Sequence, residues 1–124
     1  INMVSFKEIQ FNKKEAVYPQ LVAYVKKQIL IGSVENNEEL PSRRELALSL
    51  AINPNTVQKA YKILEDEGII RTISNVKSVI CVNEEIKETI QKEYIQKHLK
   101  GFIDECKSVH LSFQEVVSLL SEYW

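Results

Sequence analysis

Three features of the sequence predict a mainly α fold with a small β-hairpin in its middle. Two short amphipathic segments, each with its own start signal, follow one another between Ser42 and Gly68. A stretch rich in β-branched residues comes next, and from Glu84 onward the apolar residues recur at helical spacing. The expected organisation is three helices plus the hairpin over residues 1–82, followed by two helices over residues 83–124.

Taken in order, Ile1 and Asn2 precede Met3 and read as a remnant ahead of a natural start. Val4 to Lys14 places Phe6, Ile9 and Phe11 among polar neighbours, the pattern of an extended arm. From Tyr18, with Pro19 near the helix start, Leu21, Val22, Val25, Ile29 and Leu30 trace an amphipathic stripe that ends at Gly32. Ser33 to Glu39 is a polar loop leading to Leu40 and Pro41.

The two segments that follow are the most informative. Ser42 and Glu45 are placed to form a capping box, each satisfying an amide of the first turn, so a helix starts there with Leu46, Ala47 and Leu50 on one face. Its period stops at Ala51-Ile52, and a second start follows at once: Asn53 is an N-cap, and Pro54 occupies the first helical position, where its missing N–H is not needed. Val57, Ala60, Tyr61 and Leu64 form the buried side of this helix, which Gly68 closes. Two short helices joined by a turn of about three residues make a helix-turn-helix. Asn55, Thr56, Gln58, Lys59 and Lys62 then face outward. Asn and Gln can pair with adenine edges and Thr with a base or methyl group in a DNA major groove, although any soluble helix also has a solvated polar face. After Gly68, Ile69–Ile73 and Ser78–Val82, separated by Ser74-Asn75-Val76-Lys77, read as a hairpin, which behind a helix-turn-helix is a wing.

Leu-Pro-Ser-Arg-Arg-Glu-Leu-Ala from Leu40, Asn-Pro-Asn-Thr-Val-Gln-Lys-Ala-Tyr from Asn53 and Leu-Glu-Asp-Glu-Gly-Ile-Ile from Leu64 together resemble the DNA-binding domain of GntR family transcription regulators. The Asn53-Pro54-Asn55-Thr56-Val57 variant and the short remainder resemble the YtrA-type subgroup. The resemblance covers about Tyr18 to Val82. It implies a first helix that supports the helix-turn-helix, an Arg44 that contacts DNA, and an Arg43 that meets phosphate or solvent. On such a domain Asn55, Thr56 and Gln58 are placed for base or backbone contact at the major groove, and Lys59, Lys62 and Lys77 for phosphates. The chain departs from the family where Asn75 and Lys77 replace wing-tip glycines, where Gln58 stands in for a frequent Arg, and where Pro54 replaces another. Asn75 tolerates positive φ and Lys77 can meet a phosphate, so the hairpin survives while deep minor-groove insertion does not follow. Fewer cationic anchors imply a shallower salt dependence per subunit.

Composition is that of a globular protein, with 44% hydrophobic and 27% charged residues among 124, which excludes disorder and collagen. Nothing approaches the roughly 20 apolar residues needed to span a bilayer, and the expected location is the cytoplasm. Net charge is −1, but Lys and Arg outnumber acids 11 to 9 in residues 1–82 and are outnumbered 5 to 8 beyond, a weak asymmetry favouring nucleic acid at the N-terminal part. Glu65-Asp66-Glu67 is expected at the end of its helix away from the groove. Cys81 and Cys106 both read as reduced, buried small hydrophobes.

Beyond Glu84, Ile86, Ile90, Tyr94, Ile95, Leu99, Phe102, Ile103 and Cys106 form one apolar band. Ser112 and Glu115 form a second capping box, ahead of Phe113, Val116, Val117, Leu119, Leu120 and Tyr123. Two helices cannot easily bury both faces against each other. A second subunit is the simplest cover, with packing onto the chain's own winged domain the other choice, and Ile90, Tyr94, Leu99, Phe102, Ile103, Phe113, Val116, Val117 and Leu120 are the expected interface. His98 and His110 have no second ligand at metal-site spacing, and no phosphate loop, nucleophile motif or carboxylate cleft appears. An enzyme is not expected, nor a cofactor or metal. The expectation is a homodimeric regulator, most often a repressor, on an inverted-repeat double-stranded operator. The resemblance points to genes of ATP-binding-cassette transporters. A winged-helix protein-interaction module is the alternative. The two C-terminal helices offer no enclosed pocket that would name an effector.

Overall fold

The computed structural model describes residues 3–124; Ile1 and Asn2, read above as a remnant, lie outside them. The elements in order are α1 (Val17–Leu30), β1 (Glu39–Leu40), α2 (Arg43–Leu50), α3 (Pro54–Asp66), β2 (Ile70–Ser74), β3 (Lys77–Ile80), α4 (Glu84–Ser108) and α5 (Phe113–Tyr123). The strands form an antiparallel sheet in the order β1-β3-β2, with Leu40 opposite Ser78 and Ile70 opposite Ile80. The hairpin is therefore backed by a third strand where the sequence suggested a loop. Its tip is the two-residue turn Asn75-Val76, shorter than the spacing suggested.

Both capping boxes form: Glu45 N–H donates to Ser42 Oγ at 3.1 Å and Glu115 N–H to Ser112 Oγ at 3.1 Å, with each glutamate accepting from its serine's backbone N–H in return. At their C-terminal ends α1, α2, α3 and α4 share one solution. A residue at positive φ follows each of them, and the next N–H reaches back five residues: Ser33 to Gln28 O, Ile52 to Ala47 O, Ile69 to Leu64 O and Leu111 to Cys106 O, at 2.9–3.0 Å. Glycine supplies the left-handed residue at Gly32 and Gly68. Ala51 and His110 adopt it with side chains in place, at φ 54° and 64°. At Ala51 this geometry sharpens the turn between α2 and α3.

The chain divides into two compact units, the first ending at Ile90 and the second comprising Gln91–Trp124. In the first, Leu21, Val25 and Ile29 of α1, Leu46 and Ala47 of α2, and Val57, Ala60, Tyr61 and Leu64 of α3 close one core with Leu40, Ile70 and Ile80 of the sheet. The N-terminal arm belongs to this core: Val4 and Phe6 are buried, Val4 N–H donates to Glu39 O at 2.8 Å, and the Phe6 ring stacks on Tyr24. The unit extends past residue 82 because Ile86 and Ile90, in the first turns of α4, pack onto the same core. Ile90, expected at a subunit interface, is 3% exposed and already covered by its own unit, so it is withdrawn from that set.

In the second unit, Tyr94 meets the edge of His98 at 5.0 Å between ring centres. Cys106 is buried as expected, whereas Cys81, beyond the end of β3 in the first unit, is exposed and corrects that expectation. Leu99, Phe102, Ile103, Phe113, Val117 and Leu120 are all exposed, and α4 and α5 have little contact with each other. Among the described residues no helix is long and apolar enough to cross a membrane.

Candidate nucleic-acid interface

The polar side of α3 is positioned by what its other side buries. Val57, Ala60 and Leu64 are wholly enclosed, and Tyr61 is fixed further by its hydroxyl, which donates to Pro41 O at 2.7 Å just ahead of α2. Burial raises the Tyr61 phenol far above its ordinary value, a shift that the nearby Arg43 charge opposes, so it stays protonated as the donor. With that side locked, Asn55, Gln58, Lys59 and Lys62 are exposed along α3 and Thr56 is half-buried. Asn53 Oδ1 accepts from Asn55 N–H at 2.8 Å, setting the helix start, whose remaining amides carry the positive end of the helix dipole. Arg44 is exposed in the first turn of α2.

Two of the expected phosphate contacts are restrained by the protein itself. Lys59 Nζ lies 4.1 Å from the centre of the Tyr18 ring, a cation–π contact that ties α3 to the start of α1. Lys62 pairs with Asp66 at 2.7 Å, and that hydrogen bond holds its ammonium above the ordinary lysine value. The pair is exposed, so it yields easily to a phosphate. Arg43 departs furthest from its expected role. Its guanidinium lies 5.0 Å over the Tyr61 ring and 3.7 Å from Glu65, and its Nε is buried with no partner. A side chain so enclosed belongs to the fold and has little reach toward a phosphate.

In the wing, Asn75 and Lys77 are exposed, with Lys77 Nζ 3.6 Å from Glu39. Two-residue hairpin turns usually need positive φ, but among the described residues the left-handed non-glycine positions are Asn37, Ala51 and His110. The wing turn does not use one at Asn75; the register instead shifts between Thr72 and Ser74.

Sequence reasoning also missed how the acids at the end of α3 are held. Glu65 faces Arg43, Asp66 pairs with Lys62, and Glu67 reaches Lys26 of α1 at 2.8 Å. Carboxylates are disfavoured at a helix C-terminus, and here each has a cation beside it. Only the Lys62–Asp66 pair, at helical i,i+4 spacing, was readable from the chain.

The model of bacterial regulatory proteins of the gntR family matches residues 17–80 of this geometry, from α1 through β3. The chain belongs to the gntR family. This GntR protein is 36% identical to the HTH-type transcriptional repressor YtrA of Bacillus subtilis (strain 168), over 81% of this chain and 83% of that one. Among solved structures, a transcriptional regulator from Oenococcus oeni matches with a TM-score of 0.78 at 33% identity, covering 95% of this chain and 98% of that one. BusR of S. agalactiae, solved in complex with its busAB-promotor DNA, matches with a TM-score of 0.56 at 25% identity, over 88% of this chain and 55% of that one. The GntR chain is thus a winged helix-turn-helix transcription regulator and not an enzyme.

Proposed function

We propose that this GntR regulator works in the cytoplasm as a homodimeric repressor. It binds an inverted-repeat operator by laying the outer side of α3 in the major groove of each half-site. The observation that carries the reading is the division of α3: every large apolar residue on it except half-buried Ile63 is enclosed, while Asn55, Gln58, Lys59 and Lys62 stand exposed, as does Arg44 in the first turn of α2. Amide side chains offer the paired donor and acceptor that an adenine edge requires, and the cations supply the phosphate attraction that holds the register. A protein-docking helix would instead present apolar anchors.

Dimerisation is supported by the open faces of α4 and α5. Leu99, Phe102 and Ile103 on one helix and Val117 and Leu120 on the other are each about two-fifths exposed or more, apolar surface on both helices that a second copy would cover. A two-fold pair covering them would supply one α3 for each half-site of an inverted repeat. The subgroup resemblance points to transporter genes as the targets.

A mobility-shift titration with DNA upstream of the protein's own gene tests this. Sequence-selective binding at moderate salt is expected, with Asn55→Ala and Arg44→Ala weakening it while the dimer mass is retained. Binding without sequence preference would favour a protein-interaction module, and loss of the dimer in either variant would show that the surface has another role.

A further inference from the structure

We infer that Glu65 is a positioning residue that fixes the wing against α3, acting through the hydroxyl of Thr72. This rests on the reading above, in which α3 and the wing meet the same duplex. Glu65 lies in the last turn of α3, and both of its oxygens are engaged. Oε2 accepts the Thr72 hydroxyl of β2 at 2.5 Å, and Oε1 lies 3.7 Å from Nη2 of Arg43 at the start of α2. The chain of polar contacts continues across the hairpin, because Thr72 Oγ1 is 3.3 Å from Ser78 Oγ of β3. Ser78 is 2% exposed, so its hydroxyl has little access to water and depends on such a partner. One carboxylate therefore links α2, α3, β2 and, at one remove, β3.

The position of this link in the wing gives it its effect. The base of the hairpin is held by apolar burial of Ile70, Val79 and Ile80. From Arg71 to Lys77 every residue is exposed, Ile73 and Val76 included, so past Ile70 the strand β2 is held to the helices by polar contact and not by burial. Thr72 is thus the outermost attachment of β2 to the helical body, and it sits immediately before the register shift. A wing released there would have to be ordered when DNA binds, and that ordering opposes affinity. The restraint on Arg43 by Tyr61 keeps the far side of the carboxylate occupied, so Glu65 cannot swing freely between partners.

The test compares Thr72→Val, which keeps the shape and removes the hydroxyl, with Thr72→Ser, which restores it. In the DNA-free chain, amide hydrogen exchange at Ser74 and Lys77 should be faster in Thr72→Val and return toward wild type in Thr72→Ser. Unchanged exchange in Thr72→Val overturns the inference whatever the protein does with DNA. On operator DNA, the loss of a hydrogen bond to a carboxylate predicts about tenfold weaker binding for Thr72→Val. Hydroxyl-radical protection flanking each half-site should be lost, while protection within the half-sites persists. Wild-type affinity and flanking protection in Thr72→Val, or an equal loss everywhere that Thr72→Ser does not rescue, would overturn it. If the exchange result holds but the wild-type chain protects no DNA, the anchor stands as a feature of the fold and the functional reading fails.

Discussion

Phe102→Asp is the sharpest perturbation of the proposed dimer. Phe102 is 44% exposed in the single chain, with Leu99 and Ile103 exposed beside it on α4. Full burial of such a side chain is worth about 1.5–3 kcal/mol, so covering the exposed part contributes about 1 kcal/mol per subunit. A two-fold interface contains the residue twice, which makes about 2 kcal/mol per dimer, or about a 30-fold rise in Kd, before any cost of facing a carboxylate with apolar surface. Sedimentation equilibrium measures this directly, and the unfolding midpoint of the first unit should stay where it is because Phe102 lies outside its core. A dimer of unchanged strength would refute the assignment of this face. A monomeric wild-type chain at tens of micromolar would refute the dimer itself.

Three further outcomes follow from local geometry. Ala51→Gly should stabilise the first unit by about 0.5–1 kcal/mol in urea unfolding, because the left-handed φ of 54° costs a non-glycine residue more than glycine loses in chain entropy. Tyr61→Phe should destabilise it by about 1–3 kcal/mol, since Pro41 O loses its donor in a buried setting, and the same unfolding measurement reads it. Glu115 is held below the ordinary carboxylate value by the Ser112 backbone and hydroxyl, so its capping contribution is present above that ordinary value and lost as the pH falls through the lowered one. Helicity followed by circular dichroism should therefore fall in that acid window; Glu115→Gln should remove that part of the pH dependence, and Ser112→Ala, which keeps the backbone N–H, should only reduce it.

The elements that local chemistry specifies were readable from the chain. Ser42 with Glu45, Asn53 with Pro54, Gly68, and Ser112 with Glu115 each mark a boundary through residues a few positions apart, and the structure puts the ends of α2, α3 and α5 there. What escaped depends on partners distant in sequence. The two-residue strand β1 exists because β3 lies beside it, and the Asn36 side chain clamps the Val82 backbone N–H and C=O at 2.7 Å each across 46 positions. Val4 and Phe6 read only as part of an extended arm, and their burial depends on β1 and Tyr24 being in place to cover them. Ala51 and His110 cap helices in a conformation usually signalled by glycine, so nothing in their identity announced it. At the candidate interface, the exposed positions Asn55, Gln58 and Lys62 followed from helical period alone. The diversion of Arg43 to Glu65 and Tyr61 required the crossing of α2 and α3, which no spacing encodes.

Methylation interference on a single operator fragment tests the central claim most directly, since it reads guanine N7 in the major groove and adenine N3 in the minor. The expected pattern is interference at guanine N7 in two half-sites separated by about 34 Å, or a multiple of it, with Asn55→Ala binding about tenfold more weakly on the same fragment. Stable complexes with no major-groove interference, or Asn55→Ala binding as tightly as the wild-type chain, would contradict it.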